Sequence, residues 1–134
     1  MIAADLWATR ISPDIHPVEL MRGYLTGRDA RPIASVSSVE HGTRIRVGGA
    51  VTHRQRPPSA GGITFLSLED ETGLLNVVVR ATTWAKYAVV ARDSAALLIR
   101  GIVETANSAT NLVADHLEPL DLHDVVAQRS RDYR

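Results

Sequence analysis

The sequence has no cysteine, a single phenylalanine and no long hydrophobic run among its 134 residues. Without cysteine, neither a disulfide framework nor a thiolate zinc site can form, and this absence is typical of a reducing cytoplasm. A membrane-spanning helix needs roughly 20 consecutive apolar residues, and the sequence contains neither such a segment nor the apolar core of a signal peptide. We therefore expect a soluble cytoplasmic protein with no membrane partner.

The chain also lacks a net charge, since fifteen basic side chains balance fifteen acidic ones. This balance argues against a protein whose whole surface attracts nucleic acid. The distribution is nevertheless uneven, because no carboxylate lies between Glu40 and Glu69. Four arginines fall in this interval, namely Arg44, Arg46, Arg54 and Arg56. The interval therefore predicts a local positive field.

The five histidines show no metal-ligand spacing, so we predict no metal and no cofactor.

Hydrophobic alternation with a period of two predicts three consecutive strands, beginning near residues 44, 64 and 75. Residues 82–92 show helical spacing, and residues 97–103 and 111–120 predict two further strands on either side of a turn at residues 107–110. Three strands, a helix and two strands is the order of the five-stranded Greek-key OB barrel. We therefore predict a mainly β OB fold with a helix between the third and fourth strands.

The flanking regions predict two additions to this barrel. Residues 1–42 read as a short helical extension and a linker, because Val18, Met21 and Leu25 share one helical face before Gly27, whereas residues 28–42 predict at most one helical turn. The OB domain is expected at residues 43–120. Residues 121–134 have few apolar residues to bury and predict a flexible basic tail.

Strand phase singles out Phe65 as a binding residue. If Leu66 and Leu68 lie inside the barrel, Phe65 lies outside, because a slip of one residue exchanges the two faces. An exposed aromatic ring that stacks on a base contributes about 1–3 kcal/mol. Asn76 and Arg80 fall on the matching face of the third strand, so we predict that they contact base edges or phosphate.

The arginines of the first strand complete the candidate site. Arg44 and Arg46 are predicted to face outward, and Arg54 and Arg56 to lie at the end of the strand and in the following loop. Guanidinium groups donate two parallel hydrogen bonds to phosphate, so we expect all four to bind nucleic acid on the same side as Phe65. The alternative is that they only keep an exposed hairpin soluble. Further candidates for phosphate or partner contacts lie in the tail: Arg129, Arg131, Tyr133 and Arg134.

Other motifs predict structure rather than chemistry. The EDETG segment, which includes Asp70 and Glu71, reads as a hairpin turn in which Gly73 adopts a positive φ. Trp84 is predicted to close one end of the barrel from a helix that is capped by Thr82 or Thr83. No nucleophile elbow or glycine-rich phosphate loop occurs, so we predict no catalytic residue.

Several segments resemble one known family. GAVTHRQRPPSAGGITFLSLEDETGLLNVVV, LLIRGIVE and RSRDYR together resemble the C-terminal OB domain of error-prone DNA polymerases of the DnaE type, the polymerase III alpha-like C family used in damage-induced translesion synthesis. A looser pattern over the second and third strands is similar to the anticodon-binding OB domains of class II aminoacyl-tRNA synthetases. The resemblance implies a piece without the catalytic domains of the polymerase, and hence no enzyme activity of its own.

Together these observations predict a non-catalytic module that binds single-stranded DNA, or RNA, without sequence preference. A rival hypothesis is a protein interaction module that docks accessory mutasome subunits or the sliding clamp, which the zero net charge favours. A third is recognition of a tRNA anticodon.

Overall fold

Five strands close into a barrel in the computed structural model, which describes residue 18 and residues 21–57 and 61–120. The strands are β1 (Arg44–Gln55), β2 (Thr64–Asp70), β3 (Gly73–Val79), β4 (Ala96–Ala106) and β5 (Ala109–Pro119). The helices are α1 (Arg22–Gly27), a 3-10 helix (Ile33–Ser38) and α2 (Ala81–Asp93). The spatial order is β1-β2-β3-β5-β4, with β3 and β5 parallel and the other described pairs antiparallel. The predicted OB barrel, with its helix between β3 and β4, is confirmed.

Alternation along β2 and β3 places the core as predicted. In β2, Leu66 and Leu68 are fully buried, whereas Phe65 is 37% exposed. In β3, Val77 is buried and Asn76 is exposed. The predicted phase of β2 and β3 is therefore confirmed. No helix in the described part of the chain is long and apolar enough to cross a membrane.

Two β-bulges change the direction of side chains that simple alternation predicts. In β1, Val51 pairs with Leu68 but His53 pairs with Ser67, so Thr52 is an extra residue. Beyond it the odd-numbered residues face outward, and the predicted phase is wrong from this point. A second bulge leaves Asp115 of β5 as the extra residue, because Arg100 pairs with His116 and Gly101 with Ala114.

Helix α1 packs on the outside of the barrel against β1 and β4. Val18, Met21 and Leu25 are buried with Leu98, which confirms the predicted apolar face. Gly48 makes this close approach possible, since a Cβ there would lie 2.5 Å from Leu25 Cδ2. The segment that follows is more ordered than predicted, because it forms a six-residue 3-10 helix whose buried residues join the main core.

The β2–β3 turn fastens the N-terminal segment to the barrel through Asp70. This buried carboxylate accepts hydrogen bonds from the amides of Ile33 (2.8 Å), Thr72 (2.7 Å) and Gly73 (3.1 Å). Arg22 donates to Asp70 (2.9 Å) and to both oxygens of Glu71. The turn lies where it was predicted, but Gly73 does not have the predicted positive φ. The hydrogen bonds that the Asp70 carboxylate accepts from Thr72 and Gly73 stabilise the turn instead.

Burial by itself would raise the pKa of Asp70. The hydrogen bonds from Thr72 and Ile33, together with the charge of Arg22, outweigh this effect and hold the pKa below its usual value. The pKa of Glu71 is also lowered, chiefly by its hydrogen bond from Arg22. Both carboxylates are therefore charged at neutral pH and hold Arg22 as an ion pair.

Helix α2 packs on the main core of the barrel. Ala91 is fully buried, and Trp84 and Tyr87 pack against the core while partly exposed, so that Trp84 contacts the core as predicted and its place at the end of the barrel stays a prediction. The helix is preceded by Arg80 as its N-cap residue, so the prediction of a threonine cap is wrong.

Candidate nucleic-acid interface

Cross-strand pairing lines up outward side chains in rows across the barrel wall. In the first row Phe65 pairs with Val78, Val78 with Val113, and Val113 with Ile102. Directly opposed side chains have Cβ atoms about 5 Å apart, so these four residues form a continuous strip across β2, β3, β5 and β4. We call them the apolar row, and its two ends, Phe65 and Ile102, are 37% and 36% exposed.

A second row, two residues further along each strand, is polar throughout. It runs from β1 to β4 through His53, Ser67, Asn76, Asn111 and Glu104. All five side chains are at least partly exposed. This polar row offers imidazole, hydroxyl, amide and carboxylate groups beside the apolar row. On β2 and β3, where Phe65 and Val78 lie beside Ser67 and Asn76, the outer surface can therefore stack a flat ring and, one step away, hydrogen-bond to its edge.

Two arginines lie near the Phe65 end of the apolar row. Arg56 follows β1 with the same phase as Arg54, and its Cζ lies 5.7 Å from the ring centre of Trp84, a cation–π contact that holds the guanidinium beside α2. Arg80 follows β3 directly and is exposed. In the described part of the chain neither arginine forms an ion pair, so both charges remain available to an anion.

Arg54 lies elsewhere and has a structural partner. The bulge at Thr52 turns it to the side of buried Leu66. Its Nε donates to the carbonyl of Ala91 (2.8 Å) and its Nη2 to that of Ser94, at the C-terminal end of α2. A cation in this position satisfies free carbonyls and opposes the helix dipole. The expectation that Arg54 shares a side with Phe65 is therefore wrong.

Arg44 and Arg46 also lie apart from Phe65, on the half of β1 that pairs with β4. Arg44 Nε donates to Asp115 (2.9 Å), and Arg46 lies opposite Arg100. The structure thus divides the predicted arginines among three places on the barrel. The predicted tail residues Arg129, Arg131, Tyr133 and Arg134 lie outside the described residues.

A family model described as "OB-fold nucleic acid binding domain" matches residues 45–120. The chain belongs to this OB-fold family. Over its whole length the chain is 47% identical to an error-prone DNA polymerase from Nocardia farcinica and 50% identical to one from Cutibacterium acnes. The predicted resemblance to these polymerases is confirmed. The chain spans 12% of the length of each, and its C-terminal position within such a polymerase stays a prediction.

The solved structures agree on the fold. The OB domain matches a chain of a replication protein A heterotrimer bound to single-stranded DNA with a TM-score of 0.50 and 19% identity, over 70% of both chains. Identity at this level shows shared architecture alone.

Sequence reasoning missed several outward-facing residues of the barrel wall. His53 and Gln55 face outward only because of the bulge at Thr52, for which the sequence carries no clear signal. Asn111 becomes visible only when β5 is paired with β3. Arg100 did carry a signal, since it interrupts an otherwise apolar strand. Among the described residues, no group of three or more histidines and carboxylates could hold a metal ion.

Proposed function

We propose that this OB domain binds single-stranded DNA without chemistry of its own, in the cytoplasm, as a module of an error-prone DNA polymerase. The observation that carries the proposal is the exposed ring of Phe65 within the apolar row, on the β2–β3 surface with which OB barrels bind oligonucleotides. Bases stack on Phe65 and pack along Val78, while Asn76 and Ser67 in the polar row hydrogen-bond to their edges. Stacking accepts any base, so this binding is insensitive to sequence.

Charge supports the same assignment. Arg80 follows Val79 at the Phe65 end of the row without a described carboxylate partner, where it donates to a backbone phosphate beside the stacked base, and Arg56, held against Trp84 of α2, adds positive charge at the adjoining edge. The family description names nucleic acid as the ligand class, and the similar full-length proteins are DNA polymerases. Within such a polymerase the domain would hold the single-stranded template.

Fluorescence anisotropy with a labelled oligothymidylate tests this function. Phe65→Ala should weaken binding about 5- to 150-fold, because loss of one stacked base costs about 1–3 kcal/mol. Val89→Ala is the matched control, since Val89 is 63% exposed but lies on α2. If Phe65→Ala binds as tightly as Val89→Ala, the apolar row is not the binding surface.

The zero net charge favours one rival function, docking of an accessory polymerase subunit or the sliding clamp. In that case Phe65→Ala would weaken capture of the partner protein and leave DNA anisotropy unchanged. Competition between tRNA and single-stranded DNA tests RNA as the ligand, because an anticodon binder would prefer tRNA.

A further inference from the structure

A group of charged side chains adjoins the far end of the apolar row. Arg44 pairs across the strands with Ile102, the last residue of the row, and Arg46 pairs with Arg100 one step beyond. Asp115 lies at the bulge of β5 and contacts Arg44 and Arg100. We call Arg44, Arg46, Arg100 and Asp115 the arginine cluster. It begins where the apolar row ends.

Asp115 holds two guanidinium groups without using their terminal nitrogens. Arg44 Nε donates to one carboxylate oxygen (2.9 Å), and Arg100 Nε donates to the other (2.6 Å). Burial alone would raise the pKa of Asp115, but these two hydrogen bonds keep it below its usual value, so the carboxylate stays charged. The terminal nitrogens of both arginines have no described partner, and they are the donors that bind phosphate in pairs.

The cluster also carries more positive than negative charge. Three guanidinium groups face one carboxylate, which leaves an excess of two positive charges. Arg46 lies directly opposite Arg100, and like charges in that position destabilise a sheet. In the described part of the chain Arg46 forms no ion pair. An anion bound between Arg46 and Arg100 would remove this repulsion.

We propose that the arginine cluster binds a backbone phosphate of the same single strand whose bases stack on Phe65. This inference rests on the proposed function. The strand then crosses β3 and β5 over Val78 and Val113. From β2 to β4 there are three inter-strand steps, about 14 Å along the backbone of the curved wall, so the outer path needs at least about four nucleotides at the stacked spacing of about 3.4 Å along one DNA strand.

Oligonucleotide length separates this site from the Phe65 site. A trinucleotide, dT3, is too short to span both, whereas dT12 reaches from Phe65 to the cluster. Arg100→Ala should weaken dT12 binding about tenfold, as expected for a charge-assisted contact. It should also lower the slope of log affinity against log salt by about 0.7 and leave dT3 binding, followed by NMR titration, unchanged. Phe65→Ala should weaken both.

Two further variants complete the test. Arg46→Ala removes no described ion pair, so it folds even if Arg100→Ala does not, and it should likewise weaken dT12 alone. Arg92→Ala is the control, since Arg92 is exposed on α2 and its one ion pair with a described residue is to Asp93. If both cluster variants bind dT12 like Arg92→Ala while Phe65→Ala binds weakly, the cluster proposal is overturned and the proposed function remains. If the unmodified chain binds neither oligonucleotide, both are overturned.

Discussion

Replacement of Asp70 by alanine should destabilise the protein far more than a typical surface substitution. The carboxylate side chain is fully buried and holds the amide of Ile33 and a guanidinium nitrogen of Arg22. In the variant the buried Ile33 amide loses its acceptor, which costs about 1–3 kcal/mol. Arg22 keeps its ion pair with Glu71 and some contact with solvent, so the loss of its ion pair with Asp70 adds about 1 kcal/mol. We expect a total of about 3 kcal/mol.

Urea unfolding followed by circular dichroism measures this loss. With a slope of about 1.5 kcal/mol per molar urea, the midpoint should fall by about 2 M. Asp93→Ala is the matched control, because the Asp93 side chain is 62% exposed and, among the residues that the structure describes, its one ion pair is to Arg92 at 3.4 Å. It should change stability by less than about 0.5 kcal/mol. A loss below about 1 kcal/mol for Asp70→Ala would show that the Asp70 carboxylate does not hold the N-terminal segment on the barrel.

The same contacts predict a dependence on pH. The folded pKa of Asp70 is lowered, so its contribution to stability is complete above its unfolded pKa of about 4 and is lost as the pH falls through the folded value. Stability of the unmodified chain should therefore decrease on acidification below about pH 4. In Asp70→Asn this part of the decrease should be absent. An equal acid loss in both proteins would contradict the assignment.

Two further predictions concern packing and capping. Leu25→Ala should lower the free energy of unfolding by about 2–5 kcal/mol in the same urea assay, because Leu25 is fully buried against Leu98. The control is Leu74→Ala, because Leu74 is 63% exposed. An equal loss of stability in both variants would contradict the packing of α1 on the barrel. Arg54→Ala should lower the free energy of unfolding by about 1 kcal/mol, because the C-terminal end of α2 loses a hydrogen-bond donor and a favourable positive charge. The slope of log DNA affinity against log salt should stay unchanged, whereas a smaller slope would show that Arg54 contacts a phosphate.

The parts of the fold that were predictable are those in which a periodic pattern decides the structure. In β2, alternation of leucines with Phe65 places the ring outside, since only one strand phase buries Leu66 and Leu68. The turn at Asn107 and Ser108 was also predictable, and both residues adopt the positive φ that a two-residue hairpin of type I′ requires.

The rest depends on contacts between distant residues. A bulge adds one residue to a strand and has no characteristic residue type. The neighbouring sequence therefore does not predict that the Arg54 side chain reaches the carbonyl of Ala91. The anchor of Arg22 on Asp70 joins residues 48 positions apart. The meeting of Arg44 and Arg100 at Asp115 requires three strands to be in register, which no single segment reveals. The exposure of single residues in β2 and β3, such as Phe65 and Asn76, was therefore predictable, whereas the arrangement of the candidate site was not.

Binding of single-stranded DNA on the outer face of β2 and β3 should be visible residue by residue in a titration of the isotope-labelled chain with dT12, followed by amide chemical shifts in heteronuclear NMR spectra. We expect saturable shifts at Phe65, Ser67, Asn76 and Val78, with none at Val89 or Arg92 on α2. Shifts confined to α2, or no saturable shift on β2 and β3, would contradict it.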